Sequence, residues 1–131
     1  MLVVAALIQV DKKLLVCQRK RGSALELKWE FPGGKVRSGE SLEAALAREL
    51  REELNVSARI GAEIYRTRHQ YAEMPEPVEV VFFAAEIGTR KIRNCLFERV
   101  EWREPETLRD LDFLEADRNL IDLLASGKLT L

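Results

Sequence analysis

The sequence is poor in cysteine and histidine, and its positive and negative charges nearly cancel. Only two cysteines, Cys17 and Cys95, occur in 131 residues, which excludes a disulfide framework and predicts free thiols in a reducing, cytoplasmic setting. The formal net charge of −1 gives no global case for binding a nucleic acid polymer or a membrane. The single histidine, His69, is paired with no nucleophile and is expected to be structural or exposed.

Long apolar runs are also absent. The first ten residues are apolar except for Gln9, but Asp11, Lys12 and Lys13 follow them and no basic leader precedes them. They therefore predict a strand and neither a signal peptide nor a membrane span. No repeat, linker or low-complexity tract occurs. At 131 residues the chain can bury a core without disulfides or structural metal, and residues 1–131 are expected to form one domain of undetermined oligomeric state.

What the sequence does contain is a glycine-rich turn that leads into an acidic amphipathic helix. The apolar residues of the helix recur three and four positions apart and predict one buried stripe: Leu42, Ala45, Leu46, Leu50 and Leu54. Glu49, Glu52 and Glu53 have the same spacing and therefore share a face. These carboxylates repel one another, so a positive partner is expected, and Mg²⁺ or Mn²⁺ suits oxygen ligands best. The alternative is a solvated face in which Arg48 and Arg51 pair with neighbouring carboxylates.

The turn before the helix favours the metal site. Pro32, Gly33 and Gly34 let the backbone approach a ligand more closely than residues with side chains would allow. The turn and the carboxylates together therefore predict a site for a metal ion and a phosphate group.

The same stretch resembles the Nudix box, G-x5-E-x7-R-E-U-x-E-E-x-G-U, in which U is a bulky aliphatic residue. Its fixed positions are matched by Gly34, Glu40, Arg48, Glu49, Leu50, Glu52, Glu53 and Val56. Asn55 departs from the box, since it replaces the glycine that ends the helix in a left-handed conformation, and asparagine is the next most tolerant residue there. The run WEFPGGK at residues 29–35 is similar to the MutT-like branch in particular. The chain thus resembles MutT-like members of the Nudix hydrolase superfamily over nearly its whole length.

This resemblance implies an activity and a set of metal ligands. The implied reaction is hydrolysis of a nucleoside triphosphate to the monophosphate and pyrophosphate, with Mg²⁺ as cofactor and Mn²⁺ as a substitute. The implied ligands are three carboxylates and one backbone carbonyl: Glu49, Glu52, Glu53 and Gly33. Glu49 is alternatively the general base, and Arg48 and Glu40 are expected to orient the ligands from behind.

Four residues are candidates for contact with the nucleotide: Arg19, Phe31, Gly34 and Asp117. In MutT-like enzymes an arginine at the place of Arg19 contacts the nucleotide, and an Asn or Asp at the place of Asp117 contacts the base. Phe31 either stacks on a base or packs in the core, whereas Trp29 is expected in the core. Asp117 also has a structural alternative as the N-cap of the second helix, and both roles can hold together.

The sequence leaves the substrate and one further ligand open. An oxidised purine triphosphate of the 8-oxo-dGTP type, cleared from the nucleotide pool, and a cytosine triphosphate both suit the motifs. A nucleotide sugar is an alternative that the WEFPGGK run disfavours, and a non-catalytic nucleotide-binding module is one that the complete acidic box disfavours. Relatives often carry an extra metal-binding glutamate where Leu96 stands. Glu98, on the same face by strand alternation, either replaces it or pairs with a basic neighbour.

The order of elements predicts the fold. Residues 2–10 and 13–19 suggest a hairpin, 22–28 a loop, 29–32 a short strand, 41–54 a helix, and 56–68, 78–86 and 96–102 strands. The basic segment 88–95 is expected to be a loop near the substrate. Residues 117–125 predict a helix with Leu120, Leu123 and Leu124 buried and Gly127 as its stop. This α/β order suits a mixed sheet with a helix on each face, and the resemblance implies the same α/β/α sandwich.

Overall fold

A mixed β-sheet lies between two helices in the computed structural model, which describes residues 1–89 and 91–131. The strands are β1 (Leu2–Val10), β2 (Lys13–Gln18), β3 (Trp29–Glu30), β4 (Gly33–Lys35), β5 (Ala58–His69), β6 (Val78–Ile87) and β7 (Arg99–Arg103). The helices are α1 (Leu42–Leu54) and α2 (Arg118–Ala125), and two 3-10 turns, Pro105–Asp110 and Glu115–Asp117, precede α2. The predicted α/β/α sandwich is confirmed. Within residues 1–89 and 91–131, none of the helices has both the length and the apolar character that crossing a bilayer would require.

Strand β1 is the centre of the sheet. The strand order is β3-β2-β1-β6-β5, with β4 paired to β1 and β7 to β2. Strand β1 is parallel to β6 and antiparallel to β2 and β4. The predicted hairpin is confirmed, since Gln9 faces Leu14 across a tight turn in which Asp11 and Lys12 have φ values of 50° and 65°. Strand β4 was not predicted, because glycine is depleted in strands.

The two faces of the sheet form two separate cores. Along β1, Val4, Ala6 and Ile8 point to one face and Ala5 and Leu7 to the other, as strand alternation requires. The first face packs against the predicted apolar stripe of α1, and its fully buried members are Ala45, Leu46, Leu50 and Leu54. Each buried leucine contributes about 1.5–3 kcal/mol, whereas an exposed ion pair contributes about 0.2–1 kcal/mol. The stripe therefore fixes how α1 lies on the sheet.

Both ends of α1 are closed by local hydrogen bonds. At its start, the Ser41 side chain accepts a hydrogen bond from the Ala44 N–H at 3.0 Å. At its end, Asn55 adopts a left-handed conformation with φ 56° and ψ 41°, and its N–H donates to the Arg51 carbonyl at 3.0 Å. Asparagine thus takes the conformation predicted for the missing glycine.

The segment after β6 covers the carboxyl end of α1. The N–H groups of Arg93 and Cys95 donate to the carbonyls of Leu54 and Glu53, each at 2.9 Å. The segment predicted as a basic loop, 88–95, is irregular where it is described, and Arg90 lies outside the described residues. Both cysteines are free thiols. Cys17 is buried in β2, whereas Cys95 is exposed in this irregular segment and not in a strand.

The last strand begins later than the predicted residue 96. The Asn94 side chain accepts hydrogen bonds from the N–H groups of Leu96 and Phe97 and donates to the Phe97 carbonyl. These bonds fold the segment into a turn, so pairing with β2 starts only at Arg99. The predicted strand alternation between Leu96 and Glu98 is therefore wrong.

Helix α2 corrects two further predictions. Its buried residues are Leu120, Ile121 and Leu124. Leu123, which was predicted to be buried, is only half-buried, because the face of the helix that packs on the sheet includes Ile121 in its place. Asp117 occupies the N-cap position but its side chain makes no capping hydrogen bond. Its backbone has φ −92° and ψ −14°, since it ends the preceding 3-10 turn, and a capping residue normally has an extended backbone. Gly127 follows the helix with φ 76°, as predicted for its stop.

Candidate functional site

A cavity of about 620 Å³ brings most of the predicted site residues together. Its wall includes Arg19, Phe31, Gly33, Gly34, Glu49, Glu53 and Asp117. Apolar side chains from β1, β6 and the loops form much of the remaining wall, including Val3, Ala5, Val78, Val80 and Leu114. The cavity therefore combines an apolar chamber with carboxyl groups, an arrangement that suits a ligand with both a flat apolar part and a charged part.

Two glycines allow the backbone of β4 to reach the carboxylates of α1. A Cβ at Gly33 would lie 1.9 Å from the Val4 carbonyl oxygen, and one at Gly34 would lie 2.4 Å from the Glu49 carboxyl carbon. Glu53 is only 6% exposed, and its Oε1 accepts a hydrogen bond from the Gly33 N–H at 3.1 Å. A side chain at Gly33 would therefore displace β4 from β1, whereas one at Gly34 would displace the carboxyl group of Glu49.

Arg48 connects the acidic residues of the helix to the preceding loop. Its Nε and Nη2 donate to Glu40 at 2.7 and 2.8 Å, and Nη2 also donates to the Lys35 carbonyl at 3.1 Å. Its Nη1 donates to Glu49 at 2.9 Å and to Glu52 at 3.3 Å. The hydrogen bonds from Arg48, followed by one from a backbone N–H, lower the pKa of Glu40 to about 2. The wall of the cavity is thus supported from outside by Arg48, which contacts Glu49 and the Lys35 carbonyl, and by Glu40 and Glu52, which bind Arg48.

The charges around Glu53 are not balanced. Burial is the main cause of the raised pKa of Glu53, and the nearby charges of Glu49 and Glu30 add to it. Glu53 therefore retains a proton more strongly than an isolated carboxyl does. A divalent cation would neutralise the charges of Glu53 and Glu49 in place of that proton, and oxygen donors are the ligands that Mg²⁺ and Mn²⁺ prefer. By its donor chemistry, the site fits such an ion.

The predicted ligands are close together but are not arranged as a finished metal cage. Among residues 1–89 and 91–131, no three His, Cys, Asp or Glu side chains are grouped so as to hold an ion. Arg48 holds Glu49 and Glu52, and the Gly33 N–H holds Glu53. Glu52 is 49% exposed, which leaves its side chain room to turn.

Asp117 is a further polar residue in the wall of the cavity. This residue is only 4% exposed, and its carboxyl makes no hydrogen bond within the described part of the chain. Burial raises the pKa of Asp117, and the charge of Glu30 raises it further. Because Asp117 lines the cavity and no donor among the described residues holds its carboxyl, that group can form a hydrogen bond with a ligand there.

Phe31 belongs both to the core and to the wall of the cavity. Its ring packs edge-on against Phe82 at 6.2 Å and in a tilted arrangement against Phe113 at 5.5 Å between ring centroids. Its predicted core role is confirmed, as is that of Trp29. Phe31 also lines the cavity, so its contact with a base stays a prediction.

Glu30 was not singled out from the sequence, yet it also lines the cavity. Its two carboxylate oxygens accept hydrogen bonds from Arg19 Nη1 at 3.2 and 3.3 Å. Burial raises the pKa of Glu30 to about 6, although Arg19 opposes this shift. The sequence signal that could have identified Glu30 is its position as a charged residue between two aromatic residues, Trp29 and Phe31.

Two other candidates lie outside the wall of the cavity. Glu98 accepts a hydrogen bond from the backbone N–H of Arg21 at 3.3 Å and is not among the residues of the wall. His69 lies 3.2 Å from a carboxylate oxygen of Glu115, and its ring packs against Tyr71 at 4.4 Å. These contacts agree with the structural role predicted for His69.

Comparison with known proteins places the chain in a family. Residues 1–124 match the model of the NUDIX domain. A Mycobacterium tuberculosis protein named putative 8-oxo-dGTP diphosphatase 2 is 36% identical over 135 aligned residues, which cover 95% of this chain and 87% of that protein. An Escherichia coli K12 protein named CTP pyrophosphohydrolase is 50% identical over 68 residues, but these span only 52% of this chain and 49% of that protein. In fold, the chain is similar to the crystal structure of a MutT protein from Methanosarcina mazei Go1, with a TM-score of 0.86 at 22% identity, covering 98% of this chain and 95% of that one. This chain therefore belongs to the Nudix hydrolase family, whose members generally need divalent metal ions.

Proposed function

We propose that this chain hydrolyses a nucleoside or deoxynucleoside triphosphate to the monophosphate and pyrophosphate, with Mg²⁺ as cofactor and Mn²⁺ as a substitute. The observation that carries the proposal is one cavity whose wall combines an acidic pair, a further carboxyl group and many apolar side chains. Glu49 and Glu53 line it beside the glycines of β4, and the buried Asp117 lines it as well. A nucleoside triphosphate needs such a combination, since its phosphates require a cation and its base requires a flat apolar slot with hydrogen-bonding groups.

The proposed ligands of the ion are Glu49, Glu52, Glu53 and the Gly33 carbonyl. When bound, a divalent ion polarises the phosphoryl oxygens, lowers the pKa of a bound water and offsets charge on the leaving pyrophosphate. Arg48 restrains Glu49 and Glu52 on one face of α1, and Glu40 anchors Arg48 through two hydrogen bonds. Glu49 is the alternative proton acceptor for the attacking water. Lys35 and Arg37 also line the cavity, where their positive charges would offset those of the phosphates.

We assign base contact to Asp117 and a stacking wall to Phe31, with Arg19 and the backbone of Gly34 as further contacts. The carboxyl of Asp117 accepts hydrogen bonds from N–H groups of a base, and its protonated form, which burial favours, also donates one. It therefore suits a base edge on which a donor lies next to an acceptor. An 8-oxo-purine and cytosine both have such an edge, and relatives are named for each. Residues 1–131 would act as one domain on free nucleotides in the cytoplasm, with no nucleic acid polymer or membrane as partner.

A substrate panel tests this proposal. The panel contains 8-oxo-dGTP, dGTP, CTP, dCTP, ATP and UDP-glucose with Mg²⁺, and products are separated by anion-exchange chromatography. We expect one triphosphate to be preferred and to yield its monophosphate and pyrophosphate. Asp117→Asn should change the ratio of kcat/KM between the best and worst triphosphates by about 10-fold to 200-fold, or about 1–3 kcal/mol.

The matched control is Asp122→Asn, which alters an aspartate on the exposed side of α2. It should leave the ranking of substrates unchanged. Release of inorganic phosphate with a diphosphate product, or preference for UDP-glucose, would contradict the proposed reaction. Binding of nucleotides without any turnover would instead support a regulatory module. Equal rankings for both aspartate variants would remove base selection from Asp117.

A further inference from the structure

Glu30 is a partly buried acidic residue that the proposed chemistry does not use. We propose that Glu30 is a positioning residue for the nucleotide: it holds the guanidinium of Arg19 so that the remaining N–H groups of Arg19 are directed at the bound substrate. The inference rests on the proposed function, because it specifies how the cavity is organised to receive that nucleotide.

The guanidinium of Arg19 is restrained from two directions. Nη1 donates to both oxygens of Glu30 at 3.2 and 3.3 Å, and Nε donates to the Ala24 carbonyl at 2.8 Å. The backbone of Arg19 is also fixed, since its N–H donates to the Lys28 carbonyl and its carbonyl accepts from the Leu27 N–H. Two contacts at different nitrogens define the plane of a guanidinium, which is rigid and flat.

The remaining nitrogen of Arg19 is available to a ligand. Nη2 makes no hydrogen bond within the part of the chain that the structure describes, and the Arg19 side chain is 26% exposed and lines the cavity. An arginine presents five N–H donors in a fixed fork. With Nε and Nη1 occupied by Ala24 and Glu30, the donors of Nη2 are preorganised for an acceptor on the nucleotide.

The charge of Glu30 is costly where it lies. Its side chain is only 19% exposed, and its charge acts on two other buried carboxyls, those of Glu53 and Asp117. Burying a carboxylate near other acidic groups is unfavourable unless a cation is held against it. Arg19 is that cation, and the pair lies in the wall of the cavity. A glutamine in place of Glu30 would avoid the cost of burying a charge, but its neutral amide would form weaker hydrogen bonds with the guanidinium of Arg19.

The test is a double-mutant cycle read out by binding. Wild type, Glu30→Gln, Arg19→Lys and the double variant are titrated with CMP and with 8-oxo-dGMP in EDTA, so that neither hydrolysis nor metal contributes. Lysine retains the charge of Arg19 but lacks its fork. We expect Glu30→Gln and Arg19→Lys each to weaken binding about 10-fold, and the double variant to be within about 3-fold of Arg19→Lys alone, because interacting residues are not additive. In hydrolysis assays Glu30→Gln should raise KM by a similar factor, with kcat changed by less than about 3-fold.

Glu86→Gln is the control, since it removes the carboxylate of an exposed ion pair with Arg59, and it should bind both monophosphates as wild type does. If Glu30→Gln fails to fold, Glu30→Asp replaces it: the charge is kept but withdrawn by one methylene, and the same loss of affinity with retained kcat is expected.

Binding by Glu30→Gln within about 2-fold of wild type, or effects of the two substitutions that multiply independently, would overturn the inference. In that case wild type would still hydrolyse its triphosphate. Failure of wild type both to bind and to hydrolyse nucleotides would instead overturn the proposed function, and this inference with it.

Discussion

The carboxyl of Asp117 is buried without a hydrogen-bond partner in the described residues. Burial disfavours the charged form of this group, and the nearby charge of Glu30 adds to this effect. Its pKa is therefore higher in the folded chain than in the unfolded chain. The contribution of Asp117 to stability is complete below its ordinary pKa of 3.8 and is lost as the pH rises through the folded value.

Replacement of Asp117 by asparagine should therefore stabilise the fold in a pH-dependent way. Asparagine has nearly the same shape but does not titrate, so the melting temperature of Asp117→Asn relative to wild type should increase as the pH is raised from the acidic range to above neutrality. Thermal melts in EDTA measure this difference. Tyr71, which lines the same cavity, adds little to the slope, because its pKa is raised to about 12. A difference that stays constant with pH would show that Asp117 ionises freely in the folded chain.

At the scale of one element, the carboxyl end of α1 matters most for the site. Glu53 lies in the last turn of this helix, and its own carbonyl accepts the N–H of Cys95. Asn55 then reverses the chain in a left-handed conformation. The position of the Glu53 carboxylate therefore depends on how firmly this end of the helix is closed.

Substitution of Asn55 tests that closure. A residue with a Cβ that lacks the adaptability of asparagine costs roughly 1–2 kcal/mol in the left-handed region. Asn55→Ala should therefore lower the free energy of unfolding by about 1 kcal/mol, or the melting temperature by roughly 3–5 °C for a chain of this size, whereas Asn55→Gly should match wild type within about 0.5 kcal/mol. Ser57→Ala, at an exposed position nearby, should be almost silent. Equal stability of the alanine and glycine variants in urea unfolding would count against this account of the helix end.

At the scale of the whole molecule, local patterns predicted the elements well. The three-and-four spacing from Leu42 to Leu54 was enough to place α1 and its buried face, and the apolar run of β1 was enough to place the hairpin. The left-handed Asn55 followed from the resemblance to the Nudix box, in which a glycine ends the helix, together with the steric tolerance of asparagine. These features depend on neighbours in sequence, which a single chain displays directly.

Features that depend on distant contacts could not be predicted in this way. Strand β4 exists because Gly33 pairs with Ala5 on the neighbouring strand β1, and the local propensity of glycine does not predict that pairing. The turn at Asn94 depends on which of several nearby N–H groups its side chain accepts. The importance of Glu30 became visible only when Arg19 was found against it.

The most direct test of the account is the dependence of hydrolysis on metal and on one carboxylate. Pyrophosphate release from CTP and 8-oxo-dGTP is measured with millimolar Mg²⁺ and with excess EDTA, for wild type, Glu53→Gln and Glu43→Gln. Glu43 is an exposed glutamate in the first turn of the same helix and serves as the matched control. The account predicts no turnover in EDTA, a loss of at least ~10²-fold in kcat for Glu53→Gln, equivalent to ~2.7 kcal/mol of barrier, and full activity for Glu43→Gln. Undiminished turnover in excess chelator, or equal rates for the two glutamate variants, would contradict it.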